Sequence, residues 1–137
     1  MTVTTLIAAA RAEIGTPFRH QGRLPGKALD CAGLLVIAGR AAGYEINDVF
    51  GYGRLPESGL LEKALDDQQC LERVFGPPQA GDVLLMKFAG DPQHLALYAG
   101  ETIIHAYADV KQVCEHLYDA DWQAKTVRVY RFVGVKK

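Results

Sequence analysis

The chain has 137 residues, 49% of them hydrophobic, with 15 basic and 16 acidic side chains. This size suits one compact domain spanning residues 1–137, which needs no metal or disulfide to fold. A net charge of −1 and no basic stripe argue against nucleic acid or a membrane surface as partner. Three cysteines leave at least one free thiol, which indicates synthesis in a reducing compartment.

The N-terminal segment predicts a helix rather than a signal peptide. Residues 1–11 lack a basic n-region, and their apolar stretch of about six residues is shorter than a usual h-region. No apolar run approaches the ~20 residues of a membrane span. We therefore expect synthesis in the cytoplasm without membrane insertion, and a separate export route if the substrate lies outside the cell.

Helices are predicted at residues 3–14, 31–42 and 58–69. The second is apolar nearly all round, which is typical of a buried helix. Asp30 is its predicted N-cap, and Gly43 the left-handed residue that follows it. Gly33 and Gly39 each cost up to about 1 kcal/mol inside a helix, so we expect another backbone to come close there.

Strands dominate the second half of the chain. After a break at residues 76–81 the hydrophobic period changes to two. This pattern predicts strands at 82–88, 94–99, 102–107, 111–117 and 126–133, with a helical turn at 119–123. Helices first and strands after predict an α+β domain, in which an antiparallel sheet packs against the buried helix.

The start of the buried helix carries a candidate nucleophile, Cys31. The positive end of a helix macrodipole favours the thiolate, which is the attacking form. The alternative is a buried structural cysteine, the commoner role of a thiol in an apolar helix. Cys70, at a helix end, and Cys114, in a strand, show no partner in the pattern and are predicted to be inert.

Two histidines lie on one predicted hairpin. A type II′ loop at Gly100-Glu101 aligns the two strands so that His94 and His105 share a face, roughly 7–8 Å apart as diagonal neighbours. Ala96 lies between them and leaves room for a helix end. Leu95, Leu97 and Ile104 then point to the other face. His116, on a later strand, is predicted to face solvent.

These residues predict a catalytic triad. Cys31 would be the nucleophile, His94 its base, and His105 the residue that orients the base. We expect a stable thiolate–imidazolium pair in a dry cleft. Two alternatives stay open: histidines with only structural partners, and a zinc site made of Cys31, His94 and His105, although these form no closely spaced ligand pair.

Several short motifs, taken in order, closely resemble the NlpC-type cell-wall cysteine peptidases, which have a papain-like fold. The resemblance extends from about residue 5 to residue 133. It implies hydrolysis of amide bonds in peptidoglycan stem peptides, commonly between γ-D-glutamate and diaminopimelate, with no cofactor and no metal. The family's nucleophile, base and third polar residue fall on Cys31, His94 and His105. The motifs are Gly15-Thr16-Pro17-Phe18, Asp30-Cys31-Ala32-Gly33-Leu34, Gly81-Asp82-Val83-Leu84, the stretch from His94 to Gly100, and Ile104-His105-Ala106.

Further stretches resemble the branch of this family found in phages, prophages and gene transfer agents. They are residues 18–23, residues 52–56 and residues 114–122. The resemblance implies a virion or tail-associated enzyme, with phage tail proteins as partners. The absence of a signal peptide and of a separate wall-binding domain agrees with delivery by a particle.

One residue departs from the family pattern. Many members carry Tyr where this chain has Phe18, and the tyrosine hydroxyl lines the active site near the oxyanion. Since Phe18 cannot donate a hydrogen bond, we predict that the Cys31 backbone N–H and either His20 or Gln21 bind the oxyanion. The alternative is that Phe18 packs in the core and His20 is an ordinary loop residue.

Cationic residues in two loops are candidates for substrate binding, because stem peptides carry carboxylates. Two other functions stay open: a structural tail component with vestigial activity, and a thioester-forming amidase or acyltransferase, which would need an apolar groove. The substrate-binding candidates are Arg19, Arg23, Asp30, Tyr52 and Arg54.

Overall fold

A computed structural model describes residues 2–48, 59–90 and 92–133. Its helices are α1 (Thr2–Arg11), α2 (Cys31–Ala41), α3 (Leu60–Asp66) and α4 (Ala120–Lys125). Its strands are β1 (Arg23–Leu24), β2 (Ala28–Leu29), β3 (Leu71–Val74), β4 (Val83–Met86), β5 (His94–Tyr98), β6 (Thr102–Tyr107), β7 (Gln112–Leu117) and β8 (Thr126–Phe132). None of the described helices is long and apolar enough to cross a membrane.

The central feature is a six-stranded antiparallel sheet in the order β3-β8-β4-β5-β6-β7. The predicted α+β class is confirmed. Helices α1 and α2 pack together and α2 packs on β5, which forms the main core from residues such as Leu34, Leu97 and Ile104. The opposite face of the sheet holds a second cluster with Leu84 and Met86.

Helix α2 begins and ends as its sequence predicts. Its N-cap Asp30 accepts a hydrogen bond from the Gly33 backbone N–H at 2.8 Å, and Gly43 has a φ of 93°. At Gly33 the predicted close approach of another backbone is confirmed, since an added Cβ would lie 2.2 Å from the Gly22 carbonyl oxygen. At Gly39 it is wrong, because the nearest atoms there belong to the side chains of Ile46 and Phe132.

The β5–β6 hairpin has the predicted register, with Leu97 opposite Ile104 and Tyr98 opposite Ile103. The Ala99 backbone N–H donates to the Thr102 carbonyl oxygen at 2.8 Å across the loop. The expected approach of the helix end over Ala96 is wrong. Ala96 packs in the second cluster, whereas α2 belongs to the main core on the other face of the sheet.

Three strands were missing from the prediction. Strands β1 and β2 form a short hairpin around Pro25 and Gly26, where the Lys27 backbone N–H donates to the Leu24 carbonyl oxygen. Strand β3 has only four residues and pairs with β8. Helix α1 ends at Arg11, three residues before the predicted end. The residues that were predicted to continue it form tight turns instead.

Candidate active site

The thiol of Cys31 lies at the first residue of α2, close to the start of β5. The backbone N–H groups of Leu95 and Ala32 hydrogen-bond to it and oppose a rise in its pKa. Burial and the neighbouring Asp30 carboxylate outweigh them and raise the pKa of Cys31 to about 12. In the free chain these surroundings favour the neutral thiol over the expected thiolate, because burial disfavours the charged sulfur.

His94, the first residue of β5, is 5% exposed. Its Nε2 lies 2.6 Å from His105 Nδ1 on β6, so the two predicted neighbours are in direct hydrogen-bond contact. Phe88 stacks on the His94 ring with centroids 5.1 Å apart. Burial, followed by the charge of His116, lowers the pKa of His94 to about 3. Burial therefore favours the neutral ring over the expected imidazolium in the free chain, because the charge would be desolvated.

His105 is fully buried beneath Tyr107, whose ring stacks on it at 5.1 Å. Burial first, and then the charges of His94 and His116, lower its pKa to about 2. Its second nitrogen, Nε2, lies 2.8 Å from His116 Nε2. The predicted solvent-facing position of His116 is therefore wrong, since this half-buried ring packs against His105 and Trp122.

A backbone carbonyl ends this chain of histidines. His116 Nδ1 lies 3.0 Å from the Leu117 carbonyl oxygen, which can only accept, so this Nδ1 carries a proton. In the state in which all three rings are neutral, His116 Nε2 accepts from His105 Nε2–H, and His105 Nδ1 accepts from His94 Nε2–H. The Nδ1 of His94 is left without a proton, which is the tautomer that a general base requires.

The N-terminus of α2 is held by Asp30, which is 3% exposed. Its carboxylate accepts hydrogen bonds from the Gln21 backbone N–H, the Arg23 guanidinium and the Gly33 backbone N–H, each at 2.8 Å. Arg23 also donates to Asp48 at 2.7 Å. Asp30 and Arg23 therefore brace the loop beside Cys31, and their predicted role in substrate binding stays a prediction.

The other predicted residues lie around this centre or outside the described ranges. Gln21 has a φ of 60° and is half-buried, as is His20 in the same loop. Arg19 is exposed. Phe18 packs against the main core, as the alternative interpretation expected. Tyr52 and Arg54 lie outside the described residues.

Two sites adjoin the catalytic candidates. Between α2 and α3 lies a cavity of about 70 Å³, lined mainly by apolar side chains such as Ala32, Leu65 and Leu95. On the other side, Cys114 joins His105 and His116 in a cluster whose ligand atoms all lie within 4.8 Å of one another. The prediction that Cys114 has no partner is wrong, whereas Cys70 is buried in the main core.

Sequence reasoning missed His116 because its importance depends on strand pairing. Ile103 lies directly opposite His116, and His105 lies opposite Cys114. Two residues apart on β7, Cys114 and His116 share a face of the sheet with His105. The alternation of Cys114 with His116 was the signal available, and the turn at residues 108–111 would have supplied the register.

A helix that begins at a cysteine, packed on an antiparallel sheet with buried histidines, defines the papain-like class of folds. The model of the NlpC/P60 family matches residues 15–131, and the chain belongs to this family.

Solved structures agree with this fold. A lipoprotein-like NlpC/P60 protein of Staphylococcus aureus is 20% identical with a TM-score of 0.71, matching 98% of this chain and 42% of its own length. The peptidoglycan hydrolase RipB of Mycobacterium tuberculosis is 20% identical with a TM-score of 0.68, matching 98% and 66%. This chain therefore spans less than half of the first protein and about two thirds of the second.

A third structure limits what the fold alone can show. RipD of Mycobacterium tuberculosis is described as a non-catalytic NlpC/p60 domain protein adapted to peptidoglycan binding. It is 18% identical with a TM-score of 0.66, matching 97% of this chain and 98% of its own. Catalysis by the present chain must therefore be argued from its own residues.

Proposed function

We propose that this protein is a cysteine peptidase that hydrolyses amide bonds of peptidoglycan stem peptides, foremost the γ-D-glutamyl–diaminopimelate bond. One observation carries the proposal. Three histidines are linked by short contacts that end at the Leu117 carbonyl, and when all three rings are neutral this arrangement leaves His94 Nδ1 free to accept a proton. His94 directly precedes Leu95, whose backbone N–H holds the Cys31 thiol.

In this mechanism, proton transfer accompanies the attack. Cys31 Sγ adds to the amide carbonyl while its proton passes to His94 Nδ1. The imidazolium that forms donates from Nε2 to His105 Nδ1, which stabilises it. The oxyanion is bound by the Cys31 backbone N–H and a donor from His20 or Gln21. His94 then protonates the leaving amine, and water hydrolyses the thioester.

The predicted substrate contacts extend this proposal. Arg19 is exposed near the loop that Asp30 braces, and its guanidinium suits a stem-peptide carboxylate. Arg23, Asp30, Tyr52 and Arg54 remain further candidates. Replacing Gln21 with Ala tests the oxyanion assignment, since unchanged turnover would exclude its side chain as a donor.

The experiment is a digest of purified peptidoglycan and of stem tripeptides, with the products identified by mass spectrometry. Wild type should release L-Ala-D-Glu fragments, and Cys31→Ala should release none. Cys70→Ala is the matched control, because it removes a core thiol remote from the histidines and should stay active. Absence of products from wild type on every stem chemistry would overturn the proposal.

We further propose that the enzyme is tail-associated and acts on the cell wall after delivery by a phage, prophage or gene-transfer particle. The support is the resemblance of residues 18–23, 52–56 and 114–122 to that branch. Mass spectrometry of purified particles from the source strain tests this association. Finding the protein in the cell lysate but never in the particles would contradict it.

A second candidate, an acyl-transferring amidase, is favoured by the apolar cavity beside Ala32 and Leu95. The cavity has a volume of about 70 Å³ and a mostly apolar lining. In such an enzyme the same thioester would form at Cys31 and pass to an amine. Incubating wild type with stem peptides and a competing amine distinguishes the two, because transfer products would exceed hydrolysis products.

A further inference from the structure

One cluster beside the proposed active site contains a thiol that the reaction does not use. His105 on β6 lies directly opposite Cys114 on β7, and His116 lies two residues further along β7. All three side chains therefore project from one face of the sheet. The two imidazole nitrogens and the sulfur lie within 4.8 Å of one another. Two imidazoles and one thiolate are a donor set that Zn²⁺ prefers.

The outer partners of such a site are also present. Histidines that bind a metal usually donate their second ring N–H to a carbonyl or another acceptor, which fixes the ring. His116 Nδ1 lies 3.0 Å from the Leu117 carbonyl oxygen, and His105 Nδ1 lies 2.6 Å from His94 Nε2. The Nε2 atoms of both rings face each other at 2.8 Å, so a metal between them needs them to separate by about 0.5 Å.

We propose that His105, Cys114 and His116 bind a thiophilic divalent cation of the zinc type, with water as the fourth ligand, and that the bound cation inhibits the proposed peptidase. The inhibitory part rests on the proposed function, whereas the binding part does not. Cys114 and His116 are both half-buried, so the ion would enter from their side rather than past the fully buried His105.

Inhibition follows from the tautomers. A metal at His105 Nε2 requires the proton of that ring on Nδ1, which then donates to His94 Nε2. His94 must carry its own proton on Nδ1, where it can no longer accept the proton of Cys31. The balance is one proton released from the Cys114 thiol to solvent, while one proton moves between nitrogens within each of His105 and His94.

Cobalt(II) spectroscopy tests the binding part without any enzymatic activity. In a Cys31→Ala background, one equivalent of Co²⁺ should produce a thiolate-to-cobalt charge-transfer band and the visible bands of a tetrahedral ion. A second substitution, Cys114→Ser, should abolish the charge-transfer band, whereas Cys70→Ser should keep it. An equally intense band in the Cys114→Ser protein would overturn the site.

Zinc inhibition of stem-peptide hydrolysis tests the second part. Each protein is compared with its own metal-free rate, so that a change in basal rate does not matter. The concentration of Zn²⁺ for half inhibition should rise at least tenfold in Cys114→Ser and stay unchanged in Cys70→Ser. Equal inhibition of all three proteins would assign the effect to Cys31 and His94 and overturn the inhibitory part. If wild type hydrolyses nothing, the proposed function fails while the cobalt spectra still decide the site.

Discussion

At the scale of single residues, His116 determines the protonation of a base that it does not touch. The Leu117 carbonyl keeps the proton of neutral His116 on Nδ1, and His116 Nε2 then accepts a hydrogen bond from His105. A change at His116 should therefore act on the rate rather than on substrate binding. We expect His116→Phe to lower kcat at least tenfold with KM little changed. His116→Gln should recover most of the rate, because its amide oxygen can accept from His105 Nε2–H.

Steady-state kinetics and ring ¹⁵N chemical shifts measure this prediction together. In wild type the shifts should report a protonated Nε2 in His94, and in His116→Phe a mixture of tautomers. If both variants lost the same activity, His116 would act only through packing against Trp122. His116→Gln should also lose the cobalt spectrum, which links this variant to the proposed metal site.

At the scale of elements, the first turn of α2 must lie close to the loop that carries His20 and Gln21. A Cβ at Gly33 would meet the Gly22 carbonyl oxygen at 2.2 Å, and backbone cannot move aside as a side chain can. We expect Gly33→Ala to lower the free energy of unfolding by about 1–3 kcal/mol and to reduce activity by displacing the loop.

The matched control is Gly39→Ala in the same helix. There the main obstruction is Ile46 Cδ1, the end of a flexible side chain, with the Phe132 ring in looser contact at 3.3 Å, and alanine favours the helix by about 1 kcal/mol. We therefore expect a much smaller loss of stability, with activity kept. Urea unfolding of both variants measures the difference, and equal stability losses would show that the contact with Gly22 is not restrictive.

A second contact between elements joins β8 to the turn before β4. Arg131 donates two hydrogen bonds of 2.9 Å to Asp82, which is 1% exposed and also accepts from the Gln79 backbone N–H. Arg131→Met leaves a buried carboxylate without its cation, which should cost about 3 kcal/mol. Asp82→Asn should cost less, because the partly exposed Arg131 can bind water. Chemical denaturation ranks the two, and the reverse order would refute this explanation.

At the scale of the whole molecule, the buried histidines make stability depend on pH. The folded pKa values of His94 and His105, about 3 and 2, lie below the ordinary value of 6.5. The unfolded chain therefore binds more protons as pH falls below 6.5. The free energy of unfolding should decrease by up to about 1.4 kcal/mol per pH unit for each histidine, and be fully retained above pH 6.5.

Urea unfolding of wild type and His105→Gln between pH 7.5 and 4 tests this dependence. The variant should show a shallower slope, because one proton-binding group is lost. Asp66 and Glu115, whose pKa values are lowered by hydrogen bonds from Arg73 and Arg11, also weaken the fold in acid, but to the same extent in both proteins. Identical slopes would mean that His105 is protonated without cost in the folded state.

Local patterns were enough to predict much of the fold and of the site. The apolar periodicity placed α2 and the strands from β4 onward, and Asp30 and Gly43 marked the limits of the helix because capping depends on neighbouring residues. The Gly100-Glu101 loop fixed the hairpin register, and with it the contact between His94 and His105, because side chains alternate along a strand. These features depend on residues close together in the chain.

Only the tertiary structure decided the features that depend on distant segments. Strand β8 lies between β3 and β4, and His116 reaches His105 through the pairing of β6 with β7. Burial is the largest cause of the pKa shifts of Cys31 and His94, and no local pattern predicts it, since desolvation is set by everything packed around a group. The sequence alone therefore determined the class of fold and the candidate nucleophile and base. Packing determined the direction of their pKa shifts, and it placed His116 and Cys114 beside them.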